Sequence, residues 1–301
     1  MGATEVVRTP PVSGVLDARS AGPTVPRMVL GARLRRLREE RNISRETAGE
    51  AIRASQSKIS RLEWGRHGFK MRDVADLLTL YGVTGEAERA TLLALAEQSN
   101  TAGWWQPYSD VVPAWMQAYL GAEQAASLIR CFEPQVVPGL LQTSDYARAA
   151  VRLTHPSASV EEIERRVTLR MKRQQVLHRQ RGPQLWAVID EAALRRPVGG
   201  IATMRAQLLH LMEICQLPRV TVQIMSFLAG GHAAVRGPVT IVRLPGDQLP
   251  DMVYLEQLAS ALYPDKPAEI EYYWDVMNRV VVEAESPDAT RTILRRILQE
   301  I

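Results

Sequence analysis

The chain holds 301 residues, 46% of them hydrophobic and 23% charged, which predicts about two domains of ~100–200 residues and excludes a disordered tail. No run approaches the ~18 consecutive apolar residues of a membrane span. The opening MGATEVVRTPPVSGVLDARSAGP has no compact apolar stretch of the kind a secretory signal needs, and Cys131 and Cys215 are too few for a disulfide scaffold or a Cys-rich zinc site. A cytoplasmic protein with no membrane partner is expected.

The net charge of +4 hides an asymmetry. Arg27 to Arg72 hold 13 Lys and Arg against 5 Asp and Glu, whereas residues 73–301 carry 22 basic and 26 acidic groups. This is the pattern of a polyanion-binding module joined to a body with another role.

In chain order, residues 1–27 read as a flexible arm rich in Pro and Gly. Leu30, Leu34 and Leu37 then form one apolar stripe of a helix. Ser44 caps a second short helix over about 45–51, and Ser55 caps a third over about 56–63, with Gly65 as its stop. A fourth helix follows over about 71–81, and a fifth over about 86–98. Residues 28–98 therefore predict an all-α domain of five helices.

Residues 99–125 read as a connector. Trp104, Trp105, Trp115 and Tyr119 make it too apolar for a free linker, so it is expected to pack on the second domain. From residue 126 the periods mix. Strands are predicted at 127–132, 184–190, 220–225, 238–244 and 252–256. Helices are predicted after Thr143 or Ser144, from the Ser159–Glu162 capping box to about Gln180, over about 200–215, and from Pro267 and Ser286-Pro287. The fold class expected is α+β, a five-helix domain followed by a mixed α/β domain with one sheet of four or five strands.

The stretch SRETAGEAIRASQSKISRLE (44–63) carries the functional signal. A helix-turn-helix needs two short helices locked by a small apolar interior, with polar groups on the second that fit a major groove. Ala48 and Ile52 can meet Ile59 and Leu62 across the turn, and Gly49 permits close approach. Gln56, Ser57, Lys58, Ser60 and Arg61 then point outward as base readers, since Gln pairs bidentately with adenine and Arg with guanine. Ser55 leaves the helix N-terminus open to phosphate. Arg33, Arg36, Arg66 and Lys70 flank it as phosphate contacts. Arg35 and Arg38 fit a solvated face or a phosphate contact equally.

Residues 28–98 resemble the phage-repressor-like (Cro/C1, or XRE-type) helix-turn-helix family. The resemblance departs at Ala48 and Gly49, where Leu and Ala are usual, and at Arg53, where Gly is usual. A positive φ at Arg53 would be strained. The segments EPQVVPGLLQTSDYARA (133–149), WAVIDEAALRRPVGG (186–200), GGHAAVRGP (230–238) and VYLE (253–256) are similar to the C-terminal domain of the actinobacterial antitoxin-like, or WhiJ-like, regulators. That resemblance implies double-stranded DNA as one partner and a small protein as another.

Glu191, His232 and Glu256 could line an effector pocket, although a helix cap and a satisfied loop histidine explain them as well. His67, His155, His178, His210 and His232 show no metal-ligand spacing, and no phosphate-loop, dinucleotide or nucleophile-elbow motif occurs. Neither a metal, a cofactor nor an enzymatic activity is expected. One recognition helix reads few base pairs, so a homodimer is expected, with residues 126–301 serving dimerisation and input from a small molecule or partner protein.

Overall fold

A computed structural model describes residues 22–246 and 249–301; of the arm predicted over residues 1–27, residues 1–21 lie outside them. The N-terminal unit contains α1 (Thr24–Glu40), α2 (Arg45–Ala51), α3 (Gln56–Glu63), α4 (Met71–Leu80) and α5 (Glu86–Ser99). Ser44 and Ser55 start α2 and α3 as capping residues, accepting from the backbone N–H of Thr47 at 3.0 Å and of Lys58 at 3.2 Å. One core joins Leu30, Leu34 and Leu37 of α1 to Ala48, Ile52, Ile59, Leu62, Leu77, Leu78 and Tyr81. Each of these large side chains contributes about 1.5–3 kcal/mol on full burial. Gly65 stops α3 at φ +64, and a Cβ there would strike the backbone of Met28.

The last residues of the predicted arm are helical instead. Thr24 to Arg27 already belong to α1, and Val25 and Met28 are buried in the core of the C-terminal domain. An apolar first turn needs a surface, and that domain supplies it.

After the 3₁₀ turns Gln106–Tyr108 and Ala114–Met116 comes α6 (Gln117–Ala125). The order is then β1 (Leu128–Glu133), α7 (Ser144–Thr154), α8 (Val160–Gln174), β2 (Gln184–Asp190), α9 (Glu191–Arg195), α10 (Ile201–Ile214) and β3 (Val220–Met225). The chain ends in β4 (Val239–Arg243), β5 (Met252–Glu256), β6 (Ala261–Leu262), α11 (Pro267–Glu283) and α12 (Pro287–Glu300). Within the connector, Trp105 is buried with Val112, Leu120 and Leu169, on the C-terminal side of the molecule.

One mixed sheet runs β3-β2-β1-β4-β5-β6. The first three strands are parallel and the last three antiparallel. Among the described residues six strands stand where four or five are expected, because β6 has two residues and shows no alternation in the sequence. Side chains alternate between faces. Ile129, Cys131, Ala187, Ile224 and Tyr254 meet α6, α7, α10 and α12 on one face. Phe132, Val188, Ile241 and Val253 meet α11 on the other, and Trp64 from the helical domain joins that second cluster. The two domains are therefore packed together, through α1 on one side and Trp64 on the other.

Candidate nucleic-acid interface

The turn between α2 and α3 closes tightly: Ala54 N–H donates to the Gly49 carbonyl at 2.8 Å. A Cβ on residue 49 would collide with the Ala54 carbonyl, so the glycine here is required by the turn. Arg53 adopts φ +53 in the same turn, a conformation that costs a non-glycine residue about 1–2 kcal/mol.

Ile59, Leu62 and Glu63 face the core, leaving Gln56, Ser57 and Arg61 exposed on α3. Arg61 Nε donates to the Ser57 carbonyl at 3.3 Å, which holds its guanidinium along the outer face. Ser55 and Lys70 are exposed as well. His67, just beyond α3, has its imidazole pKa lowered by burial and by the positive charges of Arg61, Lys58, Arg27 and Lys70. These cations thus converge around the C-terminal end of α3.

Several expected contacts are otherwise engaged. Lys58 Nζ is tied to buried Asp73 at 2.9 Å. Ser60 Oγ donates to Asp265 Oδ2 of the C-terminal domain at 3.0 Å. Arg66 is not a free phosphate contact: its guanidinium lies 5.7 Å from the Trp64 ring and 5.0 Å from the Tyr263 ring, and burial lowers its pKa. Flat aromatic faces attract a guanidinium. Arg33 pairs with Glu88 at 2.5 Å and Arg36 with Glu40 at 2.9 Å, both at the surface.

Arg38 is neither solvated nor aimed at phosphate. It is buried, donating to Glu63 through Nε at 2.5 Å and Nη2 at 3.1 Å and to the Ile43 carbonyl at 2.8 Å. Arg45 Nε donates to the same Glu63 carboxylate at 3.0 Å. One acid thereby stitches α1, α2 and α3 together and fixes the angle at which α3 is presented. Among the described residues Arg41, Arg53, Arg61 and Lys70 form no ion pair and supply the free positive field of this domain. Arg53 was legible only as a departure at the turn; its exposure two residues before the Ser55 cap adds it to the candidate contacts.

The expected pocket of Glu191, His232 and Glu256 does not form. Glu191 is buried, accepting from Arg195 Nε at 2.7 Å and from the Phe227 N–H at 3.0 Å. His232 packs edge-on against Phe132, with Nε2 3.8 Å from Asp190 Oδ2. Glu256 lies on the opposite face of the sheet beside Tyr254, whose hydroxyl donates to it at 3.0 Å. Strand alternation separates what strand-end position alone seemed to unite.

A two-helix reading head on a five-helix core, followed by an α/β domain, is the architecture of a helix-turn-helix DNA-binding regulator. Residues 29–92 match the family model of a helix-turn-helix domain, and residues 116–296 match the domain of unknown function DUF5753. The second match spans more than half of the chain, which belongs to the DUF5753 family. No match is found among curated proteins or among solved structures. Among the described residues, no helix is long and apolar enough to cross a membrane.

Proposed function

We propose that this chain is a sequence-specific transcriptional regulator that inserts α3 into the DNA major groove. Gln56, Ser57 and Arg61 read base edges, while the Ser55 cap, Arg53 and Lys70 hold the phosphates. The observation that carries this reading is the exposed Gln56-Ser57-Arg61 face on a helix whose opposite side is locked into the core. Bidentate Gln and Arg contacts each discriminate by about 1–3 kcal/mol. Each phosphate contact steepens the salt dependence.

A single such helix reads a short site, which supports a dimer on two half-sites about one helical turn apart. The DUF5753 domain then serves dimerisation and signal input as a binding unit, not an enzyme, within the nucleoid-associated fraction of the cytoplasm. An antitoxin-like role toward a small partner protein is favoured by one specific feature. Phe227, Leu228 and Val235 on the β3–β4 loop are 58%, 90% and 74% exposed, an apolar surface of the kind partners cover.

Genome-wide mapping of bound sites, followed by anisotropy titrations with Gln56→Ala and Arg61→Ala, tests the reading. Both variants are expected to lose tenfold or more of the preference for the mapped site over random DNA. Wild-type preference in both would refute it. Co-purification with the product of a neighbouring gene tests the partner.

A further inference from the structure

The chain runs from β1 outward to β2 and β3, then returns to lay β4 on the other flank of β1. Ligands of open α/β sheets bind beyond the strand ends at such a reversal. Because β4 is antiparallel to both neighbours, β1 and β5 point the same way and end at the same edge. Each ends in a glutamate, Glu133 and Glu256, on the face that also carries Cys131 and Tyr254. Two strand spacings set their backbones about 9–10 Å apart.

Helix α8 brings two arginines to this edge, beside Gly139 of the β1–α7 loop. Arg173 is fully committed, donating to both oxygens of Glu123 at 2.9 and 2.8 Å. Arg170 is not. Its guanidinium makes one hydrogen bond, from Nη1 to Gln142 Oε1 at 2.8 Å, and Gln142 is itself anchored on the Val137 carbonyl. Among the described residues, Glu133, Glu256 and Arg170 form no ion pair. Glu133 accepts no hydrogen bond there, and Glu256 accepts only that of Tyr254.

Glu133 and Arg170 are half-buried and Glu256 is exposed, so solvent reaches all three groups at this edge of the sheet. Burial and Glu256 push the Glu133 carboxyl up to about 8, against the pull of Arg170 and Arg173. Burial and Arg173 push Arg170 down to about 10. An acid and a base half-buried side by side, near enough to feel each other and yet unpaired, call for a third component that satisfies both.

We propose that this cluster at the strand ends binds a small zwitterion of the α-amino-acid class, its ammonium held by Glu133 and Glu256 and its carboxylate by Arg170. An ammonium group has three donors and no acceptor, matching the unfilled carboxylate oxygens. A guanidinium takes a carboxylate in a bidentate fork. The site has a route to the reading head: Tyr254, hydrogen-bonded to Glu256, stacks on Tyr119 of α6 at 4.2 Å and 14°. Helix α6 packs on α1 of the DNA-binding domain. The inference rests on the signal-input reading for this consequence, and its test is made without DNA.

The full chain is titrated with each of the twenty free amino acids by calorimetry and thermal shift, with putrescine as a purely cationic probe and acetate as a purely anionic one. At least one amino acid is expected to bind saturably and raise Tm, at least tenfold tighter than its decarboxylated amine or its deaminated acid. Glu133→Gln and Arg170→Lys are each expected to weaken it tenfold or more. Glu133→Gln replaces the half-buried carboxyl by an amide of the same shape, so its fold, checked by circular dichroism, is retained. Saturation by no amino acid, equal binding of putrescine, or indifference to both substitutions overturns the proposal. Operator binding, measured separately, remains intact if only this inference fails; its loss in the wild type instead overturns the regulator reading.

Discussion

Ser60 of the reading helix and Asp265 of the C-terminal domain share a hydrogen bond of 3.0 Å across 205 residues of sequence. Next to it, Arg66 lies over the rings of Trp64 and Tyr263. The outward side of α3 is thus divided: Gln56, Ser57 and Arg61 are open, while Ser60 leans on the β6–α11 loop. A Ser60 engaged there is unavailable to a base edge, so DNA reading through it must first break this contact. A hydrogen bond of this kind is worth about 1 kcal/mol net, or roughly fivefold in affinity. Asp265→Ala is therefore expected to bind the mapped operator about fivefold more tightly in anisotropy titrations. Unchanged or weaker binding would mean that the contact positions α3 for DNA and does not restrain it.

Glu63 is the shared anion of Arg38 and Arg45, with side-chain exposures of 2%, 8% and 28% in that order. Removing one partner of a buried pair strands the other charge, at about 3–5 kcal/mol. Glu63→Ala is expected to lower the stability of the helical domain by that amount in urea denaturation. The double substitution Arg38→Met, Glu63→Leu replaces the charges by apolar volume and is expected to recover most of the loss. A Glu63→Ala variant as stable as the wild type would show that the network is not what fixes α3.

The reading head was legible because its signals are local. Ser44 and Ser55 cap helices whose limits, Arg45–Ala51 and Gln56–Glu63, follow from a few adjacent residues. What escaped the sequence was long-range. Nothing near Arg38 shows that Glu63, 25 residues on, will draw it inward, and nothing near Arg66 announces Tyr263. Strand ends are legible in the sequence and their faces are not, so position alone groups Glu256 with His232 and not with Glu133. The alternation Ile129, Cys131, Glu133 set against Met252, Tyr254, Glu256 was the signal that could have paired the two glutamates.

His67 provides a pH readout of the interface. In the free protein its imidazole titrates below the ordinary 6.5, held down by burial and by Arg61, Lys58, Arg27 and Lys70. A DNA phosphate near these cations cancels their repulsion and raises the pKa, so binding takes up a proton. Affinity for DNA is expected to rise as pH falls from about 7 toward 5.5, and His67→Gln is expected to flatten that dependence. Anisotropy titrations at constant ionic strength check it. An unchanged slope in His67→Gln would place the DNA away from the C-terminal end of α3.

Glu133 predicts a pH signature of stability that needs no ligand. Its carboxyl titrates at about 8 in the fold against an ordinary 4.5, raised by burial and by Glu256 and lowered in part by Arg170 and Arg173. Between those two values the folded chain holds a proton that the unfolded chain has released. By linkage, its contribution is fully present below about 4.5 and drains away as pH rises to about 8. Glu133→Gln keeps the shape of the protonated acid and removes the titration. The variant and the wild type are therefore expected to melt together at pH 5, and the variant to melt several degrees higher at pH 8.5. Solvent that reaches the half-buried carboxyl screens the effect and keeps it modest. Scanning calorimetry across this range reads it directly, and a Tm difference independent of pH would show that Glu133 is ionised in the fold throughout.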